Sequence, residues 1–378
     1  MNLIFTCGGT AGHINPAIAV ANMMKERHPQ CNILFIGATG HMEEKLVPKA
    51  GYELRCLPAS GLSRKLNVAG LKKNLHAVKC VFNAVNACKQ IIREFRPDVI
   101  LGTGGYASFP ALYAGSAMRI PTCVHEANAL PGLTTKLAAS RADRVLVAFE
   151  QSVAHYKKTE KVQVVGMPVH RDFLFTNREE ARRKLGVGDT PLVVSAFGSL
   201  GAKVMNETVA ELFELEREDN FPFHHIHATG SFGWAWMPKL VKEKGIDLSE
   251  ISQLEIREYI YNMPELMAAS DVFIGRAGSG TCNEITASGT PAILIPSPNV
   301  TANHQEKNAM ALASNGAAVV ILEKDCTAEL VMEKITQLLG DKKAYENMQK
   351  ALRDMAVPDC AERICTVMEE IVCPKRSK

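Results

Sequence analysis

Asn2-Leu3-Ile4-Phe5-Thr6-Cys7 runs directly into Gly8-Gly9-Thr10-Ala11-Gly12-His13, and this stretch decides the fold. Residues 2–7 are apolar and β-prone and end at glycines, the pattern of a buried strand closed by a tight turn. A helix is predicted over 14–27. Ala17, Val20, Ala21 and Met24 fall on one face, and Pro16 suits a first turn. Further short strands are predicted at 32–36, 98–101, 122–124 and 144–147. The pattern restarts after 162–171, which contains Gly166-Met167-Pro168, with strands at 191–196, 225–228, 254–257, 272–274 and 292–295. Strands alternating with helices call for parallel, doubly wound α/β sheets, here in two similar halves joined by a linker.

Composition agrees with that reading. At 378 residues, 47% hydrophobic and 22% charged, the chain is sized for about two globular domains and is not a disordered polymer. No run approaches the roughly 18 apolar residues of a membrane span. The first residues carry no charged leader, so no signal peptide is expected. The 11 Cys are scattered without a Cys-x-x-Cys pair. That fits reduced thiols, not a disulfide framework or zinc site, and no metal is expected. Charge is uneven. Residues 1–165 hold 20 Lys+Arg against 10 Asp+Glu, and the remainder holds 23 against 30. The first half should therefore attract an anionic partner or surface.

Four glycine loops carry the chemical signal: Gly8–Gly12, Gly102-Thr103-Gly104-Gly105, Gly198-Ser199-Leu200-Gly201 and Arg276-Ala277-Gly278-Ser279-Gly280-Thr281. Each follows a predicted strand. Glycine lets backbone approach a ligand, and a following helix N-terminus offers free N–H groups to an anion. Together they predict a phosphorylated ligand at the carboxyl ends of the strands. No Gly-x-x-x-x-Gly-Lys-Ser/Thr is present, which excludes a P-loop. The first loop lacks one glycine of the dinucleotide pattern, and no acidic residue ends the second strand, which argues against a dehydrogenase and its cofactor. Asp-x-Asp is also missing. If a sugar nucleotide is used, helix dipoles must stabilise the departing diphosphate without a bound cation.

In order along most of the chain, the motifs resemble the MurG family, the peptidoglycan N-acetylglucosaminyltransferases. The resemblance rests on the segments 8–16, 102–106, 125–132, 198–202, 276–281 and 303–309. It implies a GT-B fold, two Rossmann-like domains facing a cleft. Expected boundaries are 1–163, 164–345 and a helical tail, 346–378, packing back on the first domain. It also implies transfer of GlcNAc from UDP-GlcNAc to the C4 hydroxyl of undecaprenyl-diphospho-MurNAc-pentapeptide (lipid I), with inversion and without a cofactor. Implied partners are the anionic cytoplasmic face of the membrane and cell-wall synthesis or division proteins; no nucleic acid is expected. Phe197, His170 and Ala302 depart from the family pattern.

The resemblance gives roles to individual residues, each of which also has a plain structural explanation. His13 is a candidate general base; it also suits a turn at a helix start, where the dipole disfavours imidazolium. Glu284 is implied to accept the ribose hydroxyls. Alternatively, Thr281-Cys282-Asn283-Glu284 is a capping box in which Glu284 bonds backbone. Thr10, Gly12, Asn128, Ser199, Gly201, Ile260, Arg276, Ser279, Gly280, Thr281, His304 and Gln305 are implied around the donor. Asn128 is also implied in catalysis. Gly9, Gly12, Gly104, Gly105, Tyr106 and His125 are implied around the acceptor diphosphate, with His170 and Arg171 at the hinge. The stretch 61–96 concentrates the basic excess. Lys72, Lys73 and Lys79 with Leu75 and Phe82 make either a solvated helix with an apolar core face or a peripheral membrane contact. The rivals to the transferase are a UDP-GlcNAc 2-epimerase-like isomerase and a non-catalytic sugar-nucleotide-binding scaffold.

Overall fold

The computed structural model describes residues 1–58, 68–105 and 107–372, without the side chains of 68–79. Tyr106 and the side chains of Lys72, Lys73, Leu75 and Lys79 therefore lie outside the described residues. The chain divides into two compact units: Met1–Val169 with Asp359–Lys378, and His170–Pro358.

The first unit is built on seven parallel strands: β1 (Asn2–Thr6), β2 (Asn32–Ala38), β3 (Glu53–Leu57), β4 (Val99–Gly102), β5 (Thr122–Glu126), β6 (Arg144–Val147) and β7 (Val162–Val164). Their order is β3-β2-β1-β4-β5-β6-β7. β1 pairs on both sides, Ile4 lying opposite Leu34 and Ile100. Its unbroken apolar run follows from burial on both faces. Leu3 and Phe5 join Phe35, Val20 and Met24 in one core. Ile4 enters the other core, with Val85, Cys88 and Ile92 from the helix Val68–Phe95. The last helix among the described residues, Cys360–Val372, covers the first core. It lies on the helix Ala11–Arg27, where Arg27 bonds both Glu362 O (3.1 Å) and Glu369 Oε2 (3.2 Å). The helix before it, Lys342–Met355, belongs to the second unit.

The second unit has six parallel strands: β8 (Leu192–Ala196), β9 (His224–Ala228), β10 (Leu254–Arg257), β11 (Val272–Gly275), β12 (Ala292–Leu294) and β13 (Val319–Val320), in the order β10-β9-β8-β11-β12-β13. Both sheets step outward from their first strand in each direction. In open α/β sheets that switch in strand order marks the carboxyl end at which ligands bind. No helix among the described residues is long and apolar enough to cross a membrane.

Candidate functional site

In the first unit, the loops after β1 and β4 are neighbours because the strands are. Gly105, at φ +85°, lies so close that a Cβ on it would stand 2.2 Å from Gly8 O. Thr103 Oγ1 donates to His13 O at 2.7 Å, and Ser108 Oγ donates to Thr6 O at 2.9 Å. These contacts make one platform of the two loops. The helix begins at Ala11, three residues before the predicted start, so Pro16 lies in its interior and not in its first turn. An interior proline has no N–H to give the carbonyl one turn back, which disfavours the helix locally. The N-cap is the exposed Thr10, whose side chain makes no cap hydrogen bond. Gly12 and His13 therefore sit in a first turn whose N–H groups are not capped by that side chain.

His13 is partly buried, and its Nδ1 lies 3.1 Å from Gly8 O. A carbonyl only accepts, so Nδ1 carries the proton and Nε2 is left as the acceptor. A Cβ at Gly104 would stand 3.0 Å from that Nε2, so the glycine keeps this edge of the ring uncovered.

The loop after β5 is organised by a residue to which no role was given from sequence, the buried Glu126. It accepts Asn128 N (3.0 Å), Asn128 Nδ2 (2.9 Å) and Gly132 N (3.0 Å). Asn128 thus holds the turn as well as any ligand role implied for it. His125 is buried, and its Nε2–H donates to Gly166 O at 2.8 Å. The ring ties β5 to the segment after β7 and does not present itself to a diphosphate. Burial lowers its pKa and keeps the imidazole neutral.

In the second unit, Gly201 (φ +79°) packs so tightly that a Cβ would lie 1.9 Å from Thr229 O. Ser231 N donates to Ser199 O at 3.2 Å, zipping the loop after β8 onto the loop after β9. Phe197 is buried, with the Arg276 guanidinium 5.8 Å above its ring. Gly198, at φ +93°, makes the turn, which frees Phe197 to serve as core where the family pattern has glycine. Arg276 donates to Ile295 O at 3.0 Å and pairs with Glu323, so its charge is already engaged by a carboxylate.

The helix Ser279–Ser288 has Gly278 as its N-cap. Thr281 is therefore the third helical residue, and the capping-box explanation of Glu284 fails by one turn. Ser279, Gly280 and Thr281 form a first turn with no side-chain cap, and a Cβ on Gly280 would sit 3.9 Å from Glu284 Oε1. Burial pushes the Glu284 carboxyl up to about 7. Ile260 is buried between the exposed Tyr259 and Tyr261, whose rings meet edge-on at 4.9 Å. His304 opens the helix His304–Ala313, and Gln305 Oε1 accepts Ser297 N at 2.8 Å. At the unit boundary, His170 and Arg171 are exposed, and His170 Nδ1 lies 3.3 Å from Asp172 Oδ2.

Glycine loops beside uncapped helix starts, in two doubly wound units, are the outline of a two-domain sugar-nucleotide enzyme. Models of that class match the chain: the glycosyltransferase family 28 N-terminal domain over residues 3–147 and its C-terminal domain over 192–364. Relatives named UDP-N-acetylglucosamine–N-acetylmuramyl-(pentapeptide) pyrophosphoryl-undecaprenol N-acetylglucosamine transferase are 41% identical in Acetivibrio thermocellus and 40% in Caldanaerobacter subterraneus. They cover 98% of this chain and, respectively, 98% and 100% of their own length. The chain belongs to this family, MurG. Among solved structures, MurG of Acinetobacter baumannii has a TM-score of 0.77 at 23% identity, over 98% of this chain and 99% of its own. The UDP-GlcNAc 2-epimerase of Neisseria meningitidis reaches 0.67 at 14%, covering 98% and 100%. Both structural likenesses concern the fold alone. Full-length sequence identity is what separates transferase from epimerase.

Proposed function

We propose that this chain transfers GlcNAc from UDP-GlcNAc to the C4 hydroxyl of the MurNAc residue in lipid I, giving lipid II and UDP. The carrying observation is the 41% identity over 98% of both chains with a relative of that name. The second unit takes the donor. Ser199 and Gly201 with the first turn at Ser279–Thr281 meet the diphosphate. Glu284 accepts the ribose hydroxyls, Ile260 borders the base, and His304 and Gln305 meet the sugar. The first unit takes the acceptor, with its diphosphate against the Gly9, Gly12, Gly104 and Gly105 backbone. His13 Nε2 removes the C4 hydroxyl proton as that oxygen attacks the anomeric carbon, and the pair of electrons leaves with UDP. A single displacement needs one base. The leaving diphosphate is met by helix N-termini and backbone N–H groups.

The acceptor carries a long polyprenyl chain, so the enzyme must work at a bilayer surface. The basic stretch 61–96 and Phe82, which is 66% exposed, support a peripheral contact with the anionic cytoplasmic leaflet. Product analysis tests the reading. UDP-GlcNAc should be consumed only when a lipid I analogue is present, with EDTA causing no loss. Turnover without acceptor would favour the epimerase, and no turnover the binding scaffold.

A further inference from the structure

Glu43 is fully buried at the start of the helix Glu43–Lys49, and its two oxygens accept two backbone N–H groups. Oε2 takes Gly9 N at 3.1 Å, and Oε1 takes Ala38 N at 2.8 Å. No ion pair among the described residues includes it. Two glycines make room for it. A Cβ at Gly8 would stand 2.7 Å from its Oε1, and one at Gly37 would stand 2.7 Å from its Cγ. A buried acidic side chain without a cation is costly to keep.

The Gly9 N–H held by Glu43 and the Gly8 carbonyl that accepts His13 Nδ1–H belong to the same peptide unit. That peptide is trans, so its N–H and C=O point in opposite directions, one at the carboxylate and the other at the imidazole. We propose that Glu43 is a positioning residue for His13, acting through the Gly8–Gly9 peptide. It orients that peptide and polarises its carbonyl. The carbonyl then fixes the proton on Nδ1, leaves Nε2 as acceptor and stabilises the charge the ring gains when it takes the hydroxyl proton. The arrangement does the work of a carboxylate hydrogen-bonded directly to a catalytic imidazole, with one peptide interposed. The proposal rests on His13 being the base.

Glu43→Gln tests it, because a glutamine of nearly the same shape accepts through one oxygen and carries no charge. The protein is labelled with ¹⁵N-histidine, and the His13 ring nitrogens are read alongside kcat, donor KM and the thermal melt. The parent chain should show the Nδ1–H tautomer. Glu43→Gln should fold, show the other tautomer or a mixture, and lose about 10–100-fold in kcat at unchanged donor KM. In a His13→Ala background Glu43→Gln should cost nothing further in kcat. An unchanged His13 tautomer in Glu43→Gln, or a rate loss that multiplies with His13→Ala, would overturn the proposal. If His13→Ala alone leaves kcat intact, the base assignment fails, and the tautomer still decides whether Glu43 sets the ring. Should Glu43→Gln not fold, Gly8→Ala, whose Cβ would stand 2.7 Å from Oε1, displaces the carboxylate without removing it, and the same tautomer change is expected.

Discussion

Glu284 shows how one residue's chemistry differs from its sequence context. Thr281-Cys282-Asn283-Glu284 reads as a cap, yet the helix starts at Ser279 and the carboxyl lies one turn inside, pushed up to about 7 by burial. A carboxyl whose folded pKa exceeds its unfolded one binds protons better when folded. Its stability cost is absent below about pH 4.5, grows as pH rises and is complete above about 7. Glu284→Gln should therefore melt higher than the parent at pH 8 and together with it at pH 4. Donor binding should move the other way. An ionised carboxylate holding two hydroxyls is worth about 1.5–3 kcal/mol, so donor KM should rise roughly tenfold or more at pH 8. In the parent, donor kcat/KM should climb with pH through about 7, and Glu284→Gln should flatten that limb. Equal donor KM values in two well-folded proteins would remove Glu284 from the donor site. Other residues at this scale gave little sign in the sequence. Glu43 and Glu126 act by accepting backbone N–H groups, and nothing in a linear sequence marks which peptide a carboxylate will reach.

At the scale of elements, the central strands were legible, and of the four edge strands only β10 was. β1, β4, β5, β8 and β11 are buried on both faces and read as apolar runs. β3, β7 and β13 went unpredicted, and each lies at a sheet edge. β3 carries Glu53 and Arg55 on its solvent side, which breaks the apolar signal, and β13 is only two residues long. β7 falls in the stretch read as a linker. The first helix start was set too late, at residue 14, and the capping box weighed as an alternative at Thr281 lies inside its helix; a glycine or an unbonded threonine N-cap leaves no capping pattern to read. The buried chain Glu216–His225–Ser195–His227–Asn206 was equally hidden. Its 2.7–3.2 Å bonds join residues of a helix and two strands. It ends where Asn206 Nδ2 donates to Thr229 O, beside Gly201. Ahead of His304 stand two consecutive non-glycine residues in the left-handed region, Ala302 and Asn303, both at φ +52°. Asparagine tolerates this and alanine does not, so Ala302→Gly should stabilise the chain by about 1 kcal/mol in denaturant unfolding. Destabilisation there would mean the turn relaxes on its own.

At the scale of the whole molecule, the charge asymmetry and the two-unit division were both visible in sequence. The last helix shows where the expectation was too simple. Lys342–Met355 stays with the second unit, and only Cys360–Val372 joins the first, where Ile364, Cys365 and Met368 complete its core. The basic excess of the first unit has its own test. Charge reversal at Lys72, Lys73 and Lys79 should weaken binding to anionic vesicles by about 1 kcal/mol per residue, while activity on a short-chain, water-soluble acceptor persists. Unchanged vesicle binding would make that helix a solvated face. The transfer proposed is a single displacement on lipid I with one base and no covalent intermediate. The anomeric configuration of the product tests it most directly. α-Linked UDP-GlcNAc and a short-chain lipid I analogue are incubated in EDTA, and the new linkage is read by NMR. A single displacement gives a β-linked GlcNAc on the C4 oxygen of MurNAc. An α-linkage, or a 2-epimer of the donor formed without acceptor, would contradict it.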